Sequence, residues 1–187
     1  RAATFDVTAC EAGLTCQFVA DVQQWKTSIR PFGMPHSPAA ILNEPDAELG
    51  QSSPFAYRPS QPASTSYLEY VVVVFRRTVL PRAVTSYFNQ HGGTIVRVEA
   101  AVQVVATEAN VNKLSWVTLK NYTASERPLD PPVGPGRDTI GLTAGTPVPR
   151  TGTLRLWFDT SKHTQQFMEL DAVRLSGVDP RENCVYP

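Results

Sequence analysis

The chain has 187 residues, 42% of them hydrophobic and 18% charged, which is enough for one hydrophobic core and too little for two sizeable ones. Its 17 basic and 17 acidic residues cancel, and no basic run exceeds Arg76-Arg77. That balance supplies no field for nucleic acid or an anionic membrane. The longest apolar run, Val71 to Phe75, falls far short of the roughly 20 residues a spanning helix needs, and the start at Arg1 lacks the basic patch and apolar block of a signal peptide.

Cys10 and Cys16 come first in chain order, with Cys184 near the other end. No second Cys or His pair stands at ligand spacing, which argues against a metal site. A disulfide from Cys10 or Cys16 to Cys184 is the sharper reading. It stabilises by roughly 5 kcal/mol in the chain-entropy model, ties the terminal strands together and leaves one cysteine over. Three reduced thiols are the alternative.

Helical periodicity is almost absent. One short turn is predicted over Pro38 to Leu42, with Ser37 as cap and Pro38 at the first helical position. The strongest strand is Tyr67 to Phe75, whose unbroken apolar stretch predicts burial on both faces. A turn at Leu80-Pro81 separates it from a strand over Arg82 to Phe88. Gly92-Gly93 reads as a hairpin turn before Thr94 to Ala100. Val102 to Thr107 and Leu114 to Leu119 read as two more strands. Asn121-Tyr122-Thr123 is an N-glycosylation sequon placed where a glycan is sterically tolerated.

Residues 125 to 150 are rich in proline and glycine and read as a long surface loop, because proline removes ladder donors. Thr153 to Asp159 and Met168 to Leu175 then form a strand pair. Six to eight strands with irregular linkers predict one all-β domain over residues 1 to 187, a jelly-roll β-sandwich with its core at about 17 to 178.

The order of several short motifs then resembles a known family. Trp25 is followed by Ser37-Pro38-Ala39-Ala40-Ile41-Leu42-Asn43-Glu44-Pro45-Asp46, then Tyr67-Leu68-Glu69-Tyr70, Leu80-Pro81-Arg82-Ala83-Val84 and Gly93-Thr94-Ile95-Val96-Arg97-Val98-Glu99. Leu154-Arg155-Leu156-Trp157-Phe158-Asp159 and Glu169 to Gly177 close the series. Residues 25 to 178, apart from gaps within 101 to 152, resemble the galactose-binding-like, discoidin-type (F5/8 type C-like) jelly rolls. The likeness is strongest to the variety beside the catalytic domain of pappalysins and in some F-box proteins. The family pattern usually has Gly where Asn43 stands. The resemblance implies a recognition domain that binds ligands with loops at one end of the sandwich, and a disulfide between the two ends.

Related jelly rolls often hold a structural calcium near the last strand and the loop matching Asn43 to Asp46. Strict alternation places Glu169 and Asp171 on the face of Val173 and Leu175, and a buried carboxylate needs a cation or an arginine. Asp46 and Glu169 are therefore the calcium candidates, with pairing to arginine or to loop amides as the alternative. Ligand candidates are Tyr57 and Arg58 in Phe55-Ala56-Tyr57-Arg58, and Asn89 and His91 in Tyr87-Phe88-Asn89-Gln90-His91. Each stretch mixes aromatic faces with hydrogen-bond donors, as sugars require; the alternative puts Phe55, Tyr87 and Phe88 in the core. Trp25, Trp116 and Trp157 read as core.

His36, His91 and His163 are isolated, and neither His-Glu-x-x-His nor Gly-x-Ser-x-Gly occurs. The expected function is a non-enzymatic, secreted or cell-surface module that binds a protein or glycan, for example in adhesion. The alternatives are an accessory domain of a larger metallopeptidase or glycosidase, and a structural part of an extracellular or ciliary surface assembly.

Overall fold

A computed structural model describes residues 10–25, 34–46, 50–59, 68–90, 94–102, 106–122, 136–142, 148–159, 168–179 and 181, without the side chains of Gln24 and Trp25. Seven strands lie among them: β1 (Thr15–Trp25), β2 (Leu68–Gln90), β3 (Ile95–Ala101), β4 (Trp116–Asn121), β5 (Gly136–Gly141), β6 (Thr151–Asp159) and β7 (Glu169–Val178). Short 3-10 turns span Pro38–Ile41 and Val111–Lys113. The first holds the predicted Pro at its start, although Ser37 makes no side-chain capping bond.

All pairings are antiparallel, and two long strands divide their length between two layers. The first part of β2 lies between β1 and β6, and β3 and β4 extend that layer. The second part lies between β7 and β5, while residues Thr15 to Phe18 of β1 pair with β7. One apolar core fills the space between the layers. It draws Val71, Val73, Phe75, Val98, Leu154, Leu156 and Phe158 from one and Val84, Phe88, Ile140, Leu170, Val173 and Leu175 from the other.

Val72 and Val74 point the opposite way, against Ala106, Val111, Leu114 and Trp116. Both faces of the Val71 to Val74 segment are thus buried, as its unbroken apolar run predicts.

The strand does not stop at Leu80-Pro81. Arg76 and Arg77 stand exposed at a corner where pairing to β6 lapses between Val74 and Val79, and β2 then continues through Pro81. Pro81 sits at a register shift, where a missing donor is tolerated. The Gln17 side chain closes the gap: its Nε2 donates to the Arg77 carbonyl at 2.8 Å, and its Oε1 accepts from the Arg77 N–H at 2.9 Å.

Other expectations are corrected. The region 125 to 150 contains β5, an edge strand with Ile140 as its one buried residue, so its apolar signal is weak. β6 and β7 do not pair with each other; each flanks a different part of β2. β3 pairs with β6 and β4 and not with the end of β2; the predicted turn at Gly92-Gly93 lies outside the described residues. Ala106 and Thr107 are not in a strand; the Ala106 N–H donates to Thr153 Oγ1 at 2.9 Å.

Cys10 bonds to Cys16, six residues away with 5.8 Å between the Cα atoms. The chain turns back between them through Gly13 at φ 81°, and this local closure replaces the expected link from either one to Cys184, which lies outside the described residues.

Candidate functional site

Because β2 folds back at its corner, its two ends meet at the same end of the sandwich. Tyr57 joins them. Its hydroxyl donates to Glu69 at 2.9 Å near the start of β2, and its backbone exchanges hydrogen bonds of 2.7 and 2.9 Å with Leu170 of β7. Thr94 Oγ1 donates to Met168 Sδ at 2.8 Å at the same end.

Two loop segments, 34–46 and 50–59, build this rim. The His36 N–H donates to the Pro54 carbonyl at 2.9 Å, the Arg58 N–H donates to the His36 carbonyl at 3.3 Å, and the Asn43 N–H donates to Val19 at 2.9 Å. His36 Nδ1 lies 3.0 Å from the Ala56 carbonyl. Asn43 has φ 69°. It therefore adopts the left-handed geometry that favours glycine, and asparagine is among the residues that tolerate it.

Between the segments lies an open cleft of about 390 Å³, lined by Met34, Pro35, Asn43, Asp46, Pro54 and Phe55 among others. Met34 is 56% and Phe55 64% exposed, and Leu68, where β2 begins at the same rim, is 42% exposed. These three are the exposed large hydrophobic residues among those described; Met34 and Phe55 share the cleft, while Leu68 follows the alternation of β2 onto the face of Tyr70. Clustered exposed apolar surface is the mark of a binding site, whereas scattered single residues are not.

Behind the cleft is a buried polar cluster. Glu169 accepts from Ser52 Oγ at 2.7 Å, from the Ser53 N–H at 3.0 Å, from Asn89 Nδ2 at 3.2 Å and from Arg58. Arg58 also donates to Ser52 Oγ at 2.6 Å, and Asn89 Nδ2 donates to the Gln51 carbonyl. Burial pushes the Glu169 carboxyl up, but the hydrogen bonds from Arg58, Ser52 and Ser53 outweigh it and hold the carboxyl below its ordinary value near 4.5.

Glu169 faces the loops because the ladder is irregular. Register shifts at Tyr87, Phe88 and Gln90 place Leu170 in the core with Val173 and Leu175, so strict alternation fails at the start of β7. Of the two readings for Glu169, the structure shows the arginine pair and loop amides. Arg58 supplies a positive charge beside Glu169. Asp46 is elsewhere, on the cleft wall.

Tyr57 and Asn89 are buried within the scaffold of the rim, while Arg58, 20% exposed, is the one of these three candidates that reaches the surface. Phe55 is exposed, while Tyr87 and Phe88 are core. His91 lies outside the described residues, and Asn121 is exposed at the end of β4. Met34 escapes sequence reasoning, since a lone methionine in a loop carries no periodic signal.

No family model matches the sequence, and no curated protein matches it either. Solved structures do match. The XRCC1 structure described as reduced XRCC1 bound to the catalytic domain of DNA polymerase β matches with a TM-score of 0.53 and 14% identity, over 87% of this chain and 99% of that one. Allantoicase from Saccharomyces cerevisiae matches with a TM-score of 0.50 and 12% identity, over 83% of this chain, which spans 39% of the enzyme's length. A second allantoicase structure agrees, with a TM-score of 0.50. The fold is the galactose-binding-like jelly roll.

Proposed function

We propose that this chain is a non-enzymatic recognition module that takes a protein or glycan partner at the rim cleft. The observation that carries the proposal is that Met34 and Phe55, both exposed, line one cleft braced from behind by Glu169, Arg58 and Asn89. A braced scaffold under exposed apolar residues is what low-cost recognition needs, because little ordering remains to be done on binding. Apolar side chains on the cleft favour a protein partner over a sugar, and XRCC1 in this fold is described holding another protein. An extracellular or cell-surface setting draws support from the Cys10–Cys16 disulfide and from the exposed acceptor Asn121.

The test compares wild type with Phe55→Asp and Met34→Asp in affinity capture and on a glycan array. The wild type retains a partner and converts no substrate. Each variant keeps its melting temperature and loses at least tenfold in affinity, as expected for an aromatic or apolar anchor. Retention of the same partner by both variants contradicts the proposal.

A further inference from the structure

Among the described residues, the second face of the layer built from β2, β6, β3 and β4 is covered only in part. Ala106, Val111, Leu114 and Trp116 lie over Val72 and Val74. The remainder carries two cross-strand rows, since directly paired residues share a face. One row is Val72, Arg155, Glu99 and Thr118; the other is Tyr70, Trp157, Arg97 and Asn121.

The first row is locked. Glu99 Oε2 accepts from Arg155 Nε and from Trp157 Nε1, each at 2.6 Å, and the Arg155 guanidinium lies 4.4 Å from the Trp116 ring centre. The second row is presented. Trp157 meets Tyr70 with ring centres 4.8 Å apart, and the Arg97 guanidinium rests over Trp157 at 4.2 Å. Arg97 is 34% exposed, while its Nε is buried 3.5 Å from Glu99 Oε1, without a hydrogen-bond partner among the described residues. The row ends at the edge strand on Asn121, the exposed acceptor of the Asn121-Tyr122-Thr123 sequon.

We infer that an N-linked glycan on Asn121 folds back along this row and completes the cover of the sheet. The pitch fits, because a pyranose ring is about as long as the 4.8 Å spacing between neighbouring strands. The first N-acetylglucosamine then lies over Arg97, whose terminal guanidinium N–H groups donate to its acetamide carbonyl and hydroxyls, and the second lies beside Trp157. The flat stack of guanidinium on indole offers the apolar face that a sugar's C–H surface prefers. The inference relies on the proposed extracellular setting, but it concerns a different surface from the rim cleft.

The experiment uses the full chain secreted from a eukaryotic host, as wild type, Asn121→Gln, Arg97→Ala, Arg97→Lys and the two double variants. Occupancy of Asn121 is read by mass. Loss of the glycan in the Arg97 background lowers the melting temperature by about 2–4 °C, the scale of one stacked contact in a chain of this size. In both Arg97 variants that difference falls to less than half. Arg97→Lys keeps the charge beside Glu99 and removes only the flat stack, so it reports even where Arg97→Ala folds poorly. An unoccupied Asn121, or an equal loss in every background, overturns the inference. Neither result touches binding at Phe55, so failure here stays distinct from failure of the rim proposal.

Discussion

A buried carboxylate that relies on one guanidinium and a few loop donors is a liability in acid. Glu169 is held below its ordinary value by Arg58, Ser52 and Ser53 in spite of its burial. A depressed folded value contributes stability above the unfolded value, near 4.5, that is lost as the pH falls through the folded one. Asp179, held to about 2 chiefly by Arg181, extends the same acid loss downward. Replacing Glu169 by Gln is expected to cost about 1.5–3 kcal/mol at neutral pH, the range for hydrogen bonds to a charged group. It also flattens the loss of stability as the pH falls from the unfolded value near 4.5 through the lowered folded one, as about one lost titrating group. Denaturant melts across that window check both, and an unchanged profile contradicts them. Because Arg58 neutralises Glu169, neither added calcium nor a chelator is expected to move the melting temperature; a rise with calcium speaks against this reading of the cluster.

At the scale of elements, the corner in β2 does most to shape the molecule. It feeds one strand into two layers and brings both strand ends to the rim. Gly177 of β7 lies against it: a Cβ there falls 2.5 Å from the Leu80 carbonyl oxygen and 2.6 Å from Val79 Cγ2. Gly177→Ala is therefore expected to cost about 1–3 kcal/mol by overpacking, read as a melting temperature lower by roughly 2–4 °C per kcal/mol. A variant as stable as wild type means that the corner yields.

How far these elements were legible follows from the same physics. Val71 to Phe75 announces a doubly covered strand because each of its faces meets apolar partners. Pro81 misleads, since a proline reads as a stop unless a register shift excuses its missing donor. β5 hides because an edge strand with a single buried isoleucine lacks alternation. The bulged start of β7 turns Glu169 to the loops, which strict alternation cannot foresee. Within the site, Tyr57, Arg58, Asn89 and Glu169 were each identifiable by chemistry and do converge, but three of them brace the rim from within. The exposed apolar pair in front of them depends on loop packing that no local pattern encodes.

The molecule as a whole has a working end and a structural body. The rim carries Met34 and Phe55 in the open, while the corner at Arg76 and Arg77 is exposed and charged at the opposite end of β2's fold-back. The core runs between them as a continuous apolar filling, so the rim loops are presented on a rigid support. The most direct measurement places a photo-crosslinking residue at Phe55 in one sample and at Arg76 in another, each exposed to the captured partner or to glycans. The account predicts adducts from position 55 and none from position 76. Crosslinking from 76 with none from 55 contradicts it.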